Sequence, residues 1–248
     1  MTRKWKIIFV LSIIGNLCIV YVAFKALDYR RHVNYFLDKY TNVVEEFSGR
    51  KNYAVDNQIV ISKKNLGNRV VFMGSQITHG WRLEEYFPEY EAINRGITGQ
   101  RMAGFLLRFR PDVVELKPKA VVIEFSSFNF RPENSIRELE DYSACMVDMA
   151  RENGIEPLLT TVVPVREDFE SEIEVPYNVQ DSLQVYNRWL VDYCRTNGIK
   201  LIDFAGALAD EKGYLKKEYA TGQITLNTAG YAKISEAANQ ALKEIIKL

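Results

Sequence analysis

The chain has 248 residues, 47% of them hydrophobic and 26% charged, which is enough to bury one substantial core and calls for no more than one main domain with an appendage. Thirty-two basic residues balance 32 acidic ones, so no summed positive field draws in a phosphate backbone, and nucleic acid is excluded as an expected partner. Cys18, Cys145 and Cys194 are an odd, scattered set with no metal-ligand spacing, and are read as buried apolar residues.

The first element is Ile7 to Phe24, eighteen residues without a formal charge, flanked by Arg3, Lys4 and Lys6 before it and Lys25 after it. That is long enough to cross a bilayer core. Cleavage after Ala23 or Ala26 would place Tyr21 or Phe24 where a small residue is required, so an uncleaved anchor is expected, and Cys18 follows Leu17, which argues against a lipid-modified cysteine. Basic residues nearly balance across the span, with Arg3, Lys4 and Lys6 against Lys25, Arg30 and Arg31; the carboxy-terminal domain is assigned to the outer side. Next, Val33, Leu37, Tyr40, Val44 and Phe47 recur at helical steps until Ser48-Gly49, as expected of an amphipathic stalk helix able to pack on its own domain or on a second copy.

From Asn68 short apolar runs alternate with helical stretches. Strands are expected at Val70 to Met73, Ala120 to Phe125, Pro157 to Val163 and Lys200 to Phe204. Helices are expected at Met102 to Arg110, Ile136 to Asn153, Val179 to Asn197 and Ala229 to Lys247, two of them ended by the Asn-Gly pairs 153-154 and 197-198. Such alternation predicts a three-layer α/β/α fold of flavodoxin-like type, with a parallel sheet and functional groups at the carboxyl ends of its strands. The divisions are then a basic flank over 1–6, a transmembrane anchor over 7–25, a juxtamembrane stalk helix and linker over 26–67, and the α/β domain over 68–248.

Three blocks carry chemistry. Gly74-Ser-Gln-Ile-Thr-His-Gly80 follows the first strand, Ile93-Asn-Arg-Gly-Ile-Thr-Gly-Gln100 comes next, and Gly222-Gln-Ile-Thr-Leu-Asn-Thr-Ala-Gly-Tyr231 precedes the last helix. Together they resemble the SGNH/GDSL ester hydrolases, whose first block reads G-D-S-x-T-x-G and whose last carries D-x-x-H. The resemblance implies an oxyanion donor at Gly96 and places Ser75 on the family aspartate, Gln76 on the nucleophilic serine, Gly222 on the last-block aspartate and Thr225 on the histidine. Ungapped alignment of Val121 to Phe130 sets Phe128 on the family asparagine, whereas a shift of one residue sets Asn129 there; both remain open.

A glutamine amide forms no ester intermediate, and neither glycine nor threonine relays a proton at neutral pH. The resemblance therefore implies the fold together with a dismantled triad. The expected pocket is Ser75, Gln76, Gly96 and Asn129, in a membrane-anchored, non-catalytic domain that binds a glycan, an acylated ligand or a protein partner. Two alternatives stand beside it: an ester hydrolase of the carbohydrate acetylesterase type that uses another nucleophile, with Ser75 and His79 at helical spacing as one pair, and a structural component of an envelope or polysaccharide-export assembly. With His32 and His79 far apart, no metal and no cofactor is expected. Trp81, Tyr86, Phe87, Phe128 and Phe130 suit either cleft walls or core.

Overall fold

A computed structural model describes residues 2–130, 134–169 and 178–246, apart from the side chains of residues 38 and 41–46. The chain divides into two compact units, Met1–Phe47 and Ser48–Leu248.

The first unit is one helix, α1 (Arg3–Glu46), without a break between the apolar span and the expected stalk. No glycine or proline lies between Lys25 and Phe47 to interrupt it. Residues Arg3–Leu37 are long and apolar enough to cross a membrane, which fits a membrane anchor or a signal sequence. Val33, Leu37 and Tyr40 of the stalk stripe are exposed, while the side chain of Val44 lies outside the described residues.

The second unit begins at Ser48, so the stretch 48–67, grouped by sequence with the stalk, is packed into the body. Helix α2 (Ala54–Ser62) inverts the usual polarity. It buries Asn57 beside Val60 while Val55 and Ile59 stay exposed, which conceals its docked face from hydrophobic patterning.

Five strands follow: β1 (Arg69–Gly74), β2 (Glu91–Gly96), β3 (Ala120–Ile123), β4 (Glu156–Thr160) and β5 (Lys200–Ile202). They form a sheet in the order β2-β1-β3-β4-β5, and each neighbouring pair is parallel. Between β1 and β2 lie the short helices α3 (Gln76–His79) and α4 (Leu83–Tyr86). Then come α5 (Met102–Asp112), α6 (Ile136–Glu152), α7 (Val179–Asn197), α8 (Phe204–Leu208) and α9 (Thr228–Ile245). The expected α/β/α class and its parallel sheet are what the structure shows.

Alternate strand residues serve opposite faces. Val71, Met73, Val121, Ile123 and Leu159 pack with Phe105, Met146 and Leu190 of α5, α6 and α7. Val70, Phe72, Val122, Leu158 and Ile202 pack with Trp81, Phe87 and the α9 residues Ile234 and Leu242. Helix ends follow local chemistry. Ser135 and Glu138 exchange backbone N–H bonds as a capping box on α6, and Gly154 and Gly198 take the positive φ values of 69° and 62° that Asn-Gly endings require.

Two expectations are corrected. Strand β2 was not expected, because Glu91-Ala-Ile-Asn-Arg-Gly96 has polar residues on both alternating faces; Arg95 is nevertheless buried there, bonded to Asn57, Asp56 and the Asn94 carbonyl. Of the cysteines only Cys194 is buried, whereas Cys18 and Cys145 are exposed on α1 and α6. Lys247, the expected end of the last helix, lies outside the described residues.

Candidate functional site

Strand order reverses between β1 and β3, and the crevice outside their carboxyl ends is where open α/β sheets bind ligands. Gly74 ends β1, and Ser75 turns the chain into α3. Beyond the last residue of β3, Glu124 points under this turn. Its Oε2 accepts from the Ser75 N–H at 2.8 Å, from the Thr78 hydroxyl at 3.1 Å and from the Thr78 N–H at 3.4 Å. Its Oε1 is buried with no partner among the described residues. Burial raises the Glu124 carboxyl above its ordinary range, and the Ser75 and Thr78 hydrogen bonds offset only part of that rise.

Gln76, the first residue of α3, is half-buried. Its Oε1 accepts from the Ser75 hydroxyl at 2.6 Å and from the Ser126 hydroxyl at 3.1 Å. Ser126 Oγ in turn accepts from the Phe128 N–H at 3.2 Å, which ties its own loop together. Ser75 and His79 do not pair: the Ser75 hydroxyl goes to Gln76, and the exposed His79 sets Nδ1 3.1 Å from the Gly96 carbonyl oxygen.

Two expected pocket donors are engaged elsewhere. The Gly96 N–H donates to Asn94 Oδ1 at 2.8 Å, and its carbonyl accepts from the Tyr53 hydroxyl at 2.5 Å. A Cβ on Gly96 would come within 2.1 Å of the His79 nitrogen, so β2 reaches α3 only because this side chain is absent. Asn129 is buried. Its Oδ1 accepts from the Met102 N–H at the start of α5, and its Nδ2 donates to the Ser126 carbonyl at 3.0 Å.

Gly222 and Thr225 lie in the loop before α9. The Tyr231 hydroxyl donates to the Ile77 carbonyl at 3.0 Å and Trp81 Nε1 to Ser235 Oγ at 2.8 Å, which ties α9 to the first block. A Cβ on Gly222 would stand 2.9 Å from the exposed Thr225 hydroxyl, so these two positions face each other. The loop is anchored further by the Arg166 N–H donating to the Gln223 carbonyl.

Sequence reasoning missed Glu124, whose available signal was a single acid in the otherwise apolar run Val121 to Phe125. Trp81, Phe87 and Phe130 belong to the core and wall no cleft. Among the described residues no group of three or more His, Cys, Asp or Glu side chains could hold a metal ion.

Comparison with known proteins gives the chain its relatives. The sequence pattern of the GDSL-like lipase/acylhydrolase family matches residues 67–233. The uncharacterized lipoprotein YqeF of Bacillus subtilis (strain 168) is 30% identical over 83 residues, which span 31% of this chain and 34% of that protein. A GDSL-like lipase from Bacteroides thetaiotaomicron VPI-5482 superposes with a TM-score of 0.73 at 28% identity, covering 81% of this chain and 100% of the other. A structure from Bacteroides fragilis NCTC 9343 gives 0.71 at 27% identity, covering 79% and 97%. The chain belongs to the GDSL-like lipase/acylhydrolase family.

Proposed function

We propose that this GDSL-like domain is a non-catalytic ligand-binding body, carried by α1 as a single-pass membrane anchor with the domain on the outer side. The observation that carries the reading is Gln76 at the position that the family resemblance gives to the nucleophile, with its amide oxygen tied to Ser75 and Ser126. An amide so bonded forms no acyl intermediate. Gly222 and Thr225, at the positions of the other two triad members, offer no base to activate a water molecule.

The binding surface of this reading is the carboxyl edge of the sheet around the half-buried Gln76, with Ser75, Gly96 and Asn129 as the scaffold beneath it, and its ligand is a glycan or acylated molecule at the membrane surface. A protein partner or a second copy would engage the same membrane-tethered body.

The test is hydrolysis of a short-chain aryl acetate by the full-length chain in detergent, beside the triple variant Gln76→Ser, Gly222→Asp, Thr225→His. Inert wild type with activity in the triple variant supports the reading. Turnover by the wild type that co-purifies with the protein and survives Gln76→Ala sinks it.

A further inference from the structure

Helix α1 carries two departures from what its surroundings favour. Beyond the apolar span, where Asp28, Arg30 and Arg31 mark contact with water, Val33, Leu37 and Tyr40 are 37%, 58% and 71% exposed. Inside the span, Ser12 and Asn16 are polar residues that face lipid under the membrane-anchor reading. Asn16 Nδ2 donates to the Ser12 carbonyl at 2.9 Å, and among the described residues its Oδ1 and its second N–H have no partner. In hydrocarbon no water takes their place. The two departures share one helical phase. Ser12, Asn16, Ile19, Ala23 and Ala26 follow alternating steps of four and three, and the same steps continue through Arg30 to Val33, Leu37 and Tyr40. Such spacing puts them all on one seam once two helices supercoil left-handedly.

We propose that α1 is a dimerisation helix whose partner is α1 of a second copy of this chain, running parallel, with Asn16 hydrogen-bonded to its counterpart inside the membrane. This rests on the membrane-anchor reading and is independent of what the body binds. The choice of a second copy follows from the chemistry of the seam. A single-pass anchor inserts in the same direction in every copy, so a two-fold pair is parallel and sets each residue beside its own counterpart. A carboxamide both donates and accepts, and one Asn16 therefore satisfies another with no third group. Ala23 and Ala26 let the backbones approach, and Val33, Leu37 and Tyr40 then leave water against their equals. The exposed Arg30 lies past Lys25, where its long side chain reaches water from the edge of the seam.

The experiment uses the full-length chain in membrane vesicles, with Cys18→Ser, Cys145→Ser and Cys194→Ala removing the native thiols. One cysteine is then placed on the seam, by Ala23→Cys or Leu37→Cys, or on the far side of the helix, by Tyr21→Cys or Tyr35→Cys, and oxidised with copper phenanthroline. Disulfide-linked dimer is expected from the two seam positions and not from the two far ones. Sedimentation equilibrium of the full-length chain in density-matched micelles is expected to give a dimer whose dissociation constant rises about tenfold in Asn16→Ala and further in the double variant Asn16→Ala, Val33→Glu. An even cross-linking pattern, a monomer at every protein-to-detergent ratio, or an unchanged constant in both variants overturns the proposal. Carbonate extraction of the same vesicles tests the anchor reading by itself. A chain released by carbonate removes that reading and this inference with it, whereas a monomer retained in the membrane removes this inference alone.

Discussion

The carboxyl of Glu124 accepts the backbone N–H of Ser75 at 2.8 Å, so the turn carrying Gln76 is held from beneath by a side chain of the neighbouring strand. The family resemblance gives position 75 an aspartate that stabilises this loop. Here serine stands there, and the carboxyl that supports the loop comes from the end of β3.

That relationship predicts a pH dependence. Burial raises the folded pKa of Glu124 above its unfolded value, so the folded chain holds this proton more tightly. Its contribution to stability is full below the ordinary glutamate pKa and is lost as pH rises through the folded value. Glu124→Gln keeps an oxygen for the Ser75 and Thr78 donors and removes the titration. Urea midpoints of wild type and variant are therefore expected to diverge as pH increases from the acidic side, with the wild type falling more steeply; parallel profiles would refute the assignment. Glu124→Leu leaves those donors without an acceptor and costs about 1–3 kcal/mol.

Arg108 and Asp112 are both 0% exposed and pair at 2.8 Å one turn apart on α5. Asp112 also accepts from Asn57 of α2. Asp112→Ala strands the buried guanidinium and is expected to cost about 3–5 kcal/mol in chemical denaturation. A loss below 1 kcal/mol would mean that the Arg108 charge finds another partner or reaches water.

The truncation experiment separates the two boundaries for the body. A chain starting at Ser48 retains Tyr53 on the Gly96 carbonyl and Asn57 between Arg95 and Asp112, whereas one starting at Asn68 loses both. Each lost partner of a buried polar group costs about 1–3 kcal/mol, so the shorter fragment is expected to melt well below the longer one. Coincident melting curves would show that α2 is dispensable.

Gly96→Ala drives a methyl into the His79 backbone at 2.1 Å. The obstacle is main chain and cannot rotate away, so α3 must shift, at a cost of about 1–3 kcal/mol or more. The expected signature is a lower melting temperature together with a displaced Gln76 side-chain amide resonance. An unchanged resonance would separate β2 from the Gln76 group.

Much of the architecture was legible along the chain. Apolar strand runs, helical stripes and Asn-Gly endings are local features, and each reports on the segment that contains it. The blocks at Gly74 and Ile93 likewise marked strand-end loops of the candidate site, because a sharp turn at a strand end needs glycine and short polar residues whatever lies opposite, and the Gly222 block marked the loop before α9.

What stayed hidden depends on contacts between distant parts of the chain. In the sequence β2 has no clean alternation and α2 leaves Val55 and Ile59 exposed, because buried positions on these elements are occupied by Arg95 and Asn57, which only partners from another element make tolerable. Residue identity alone placed a glutamine where the resemblance expects a nucleophile. Tertiary structure alone decided that Glu124 supports its turn, that Ser75 and Ser126 take its oxygen, and that Asn129 and the Gly96 N–H are used within the scaffold. A hydrogen bond across 49 or 50 positions leaves no periodic trace in either segment, since its energy depends on the distance that folding creates.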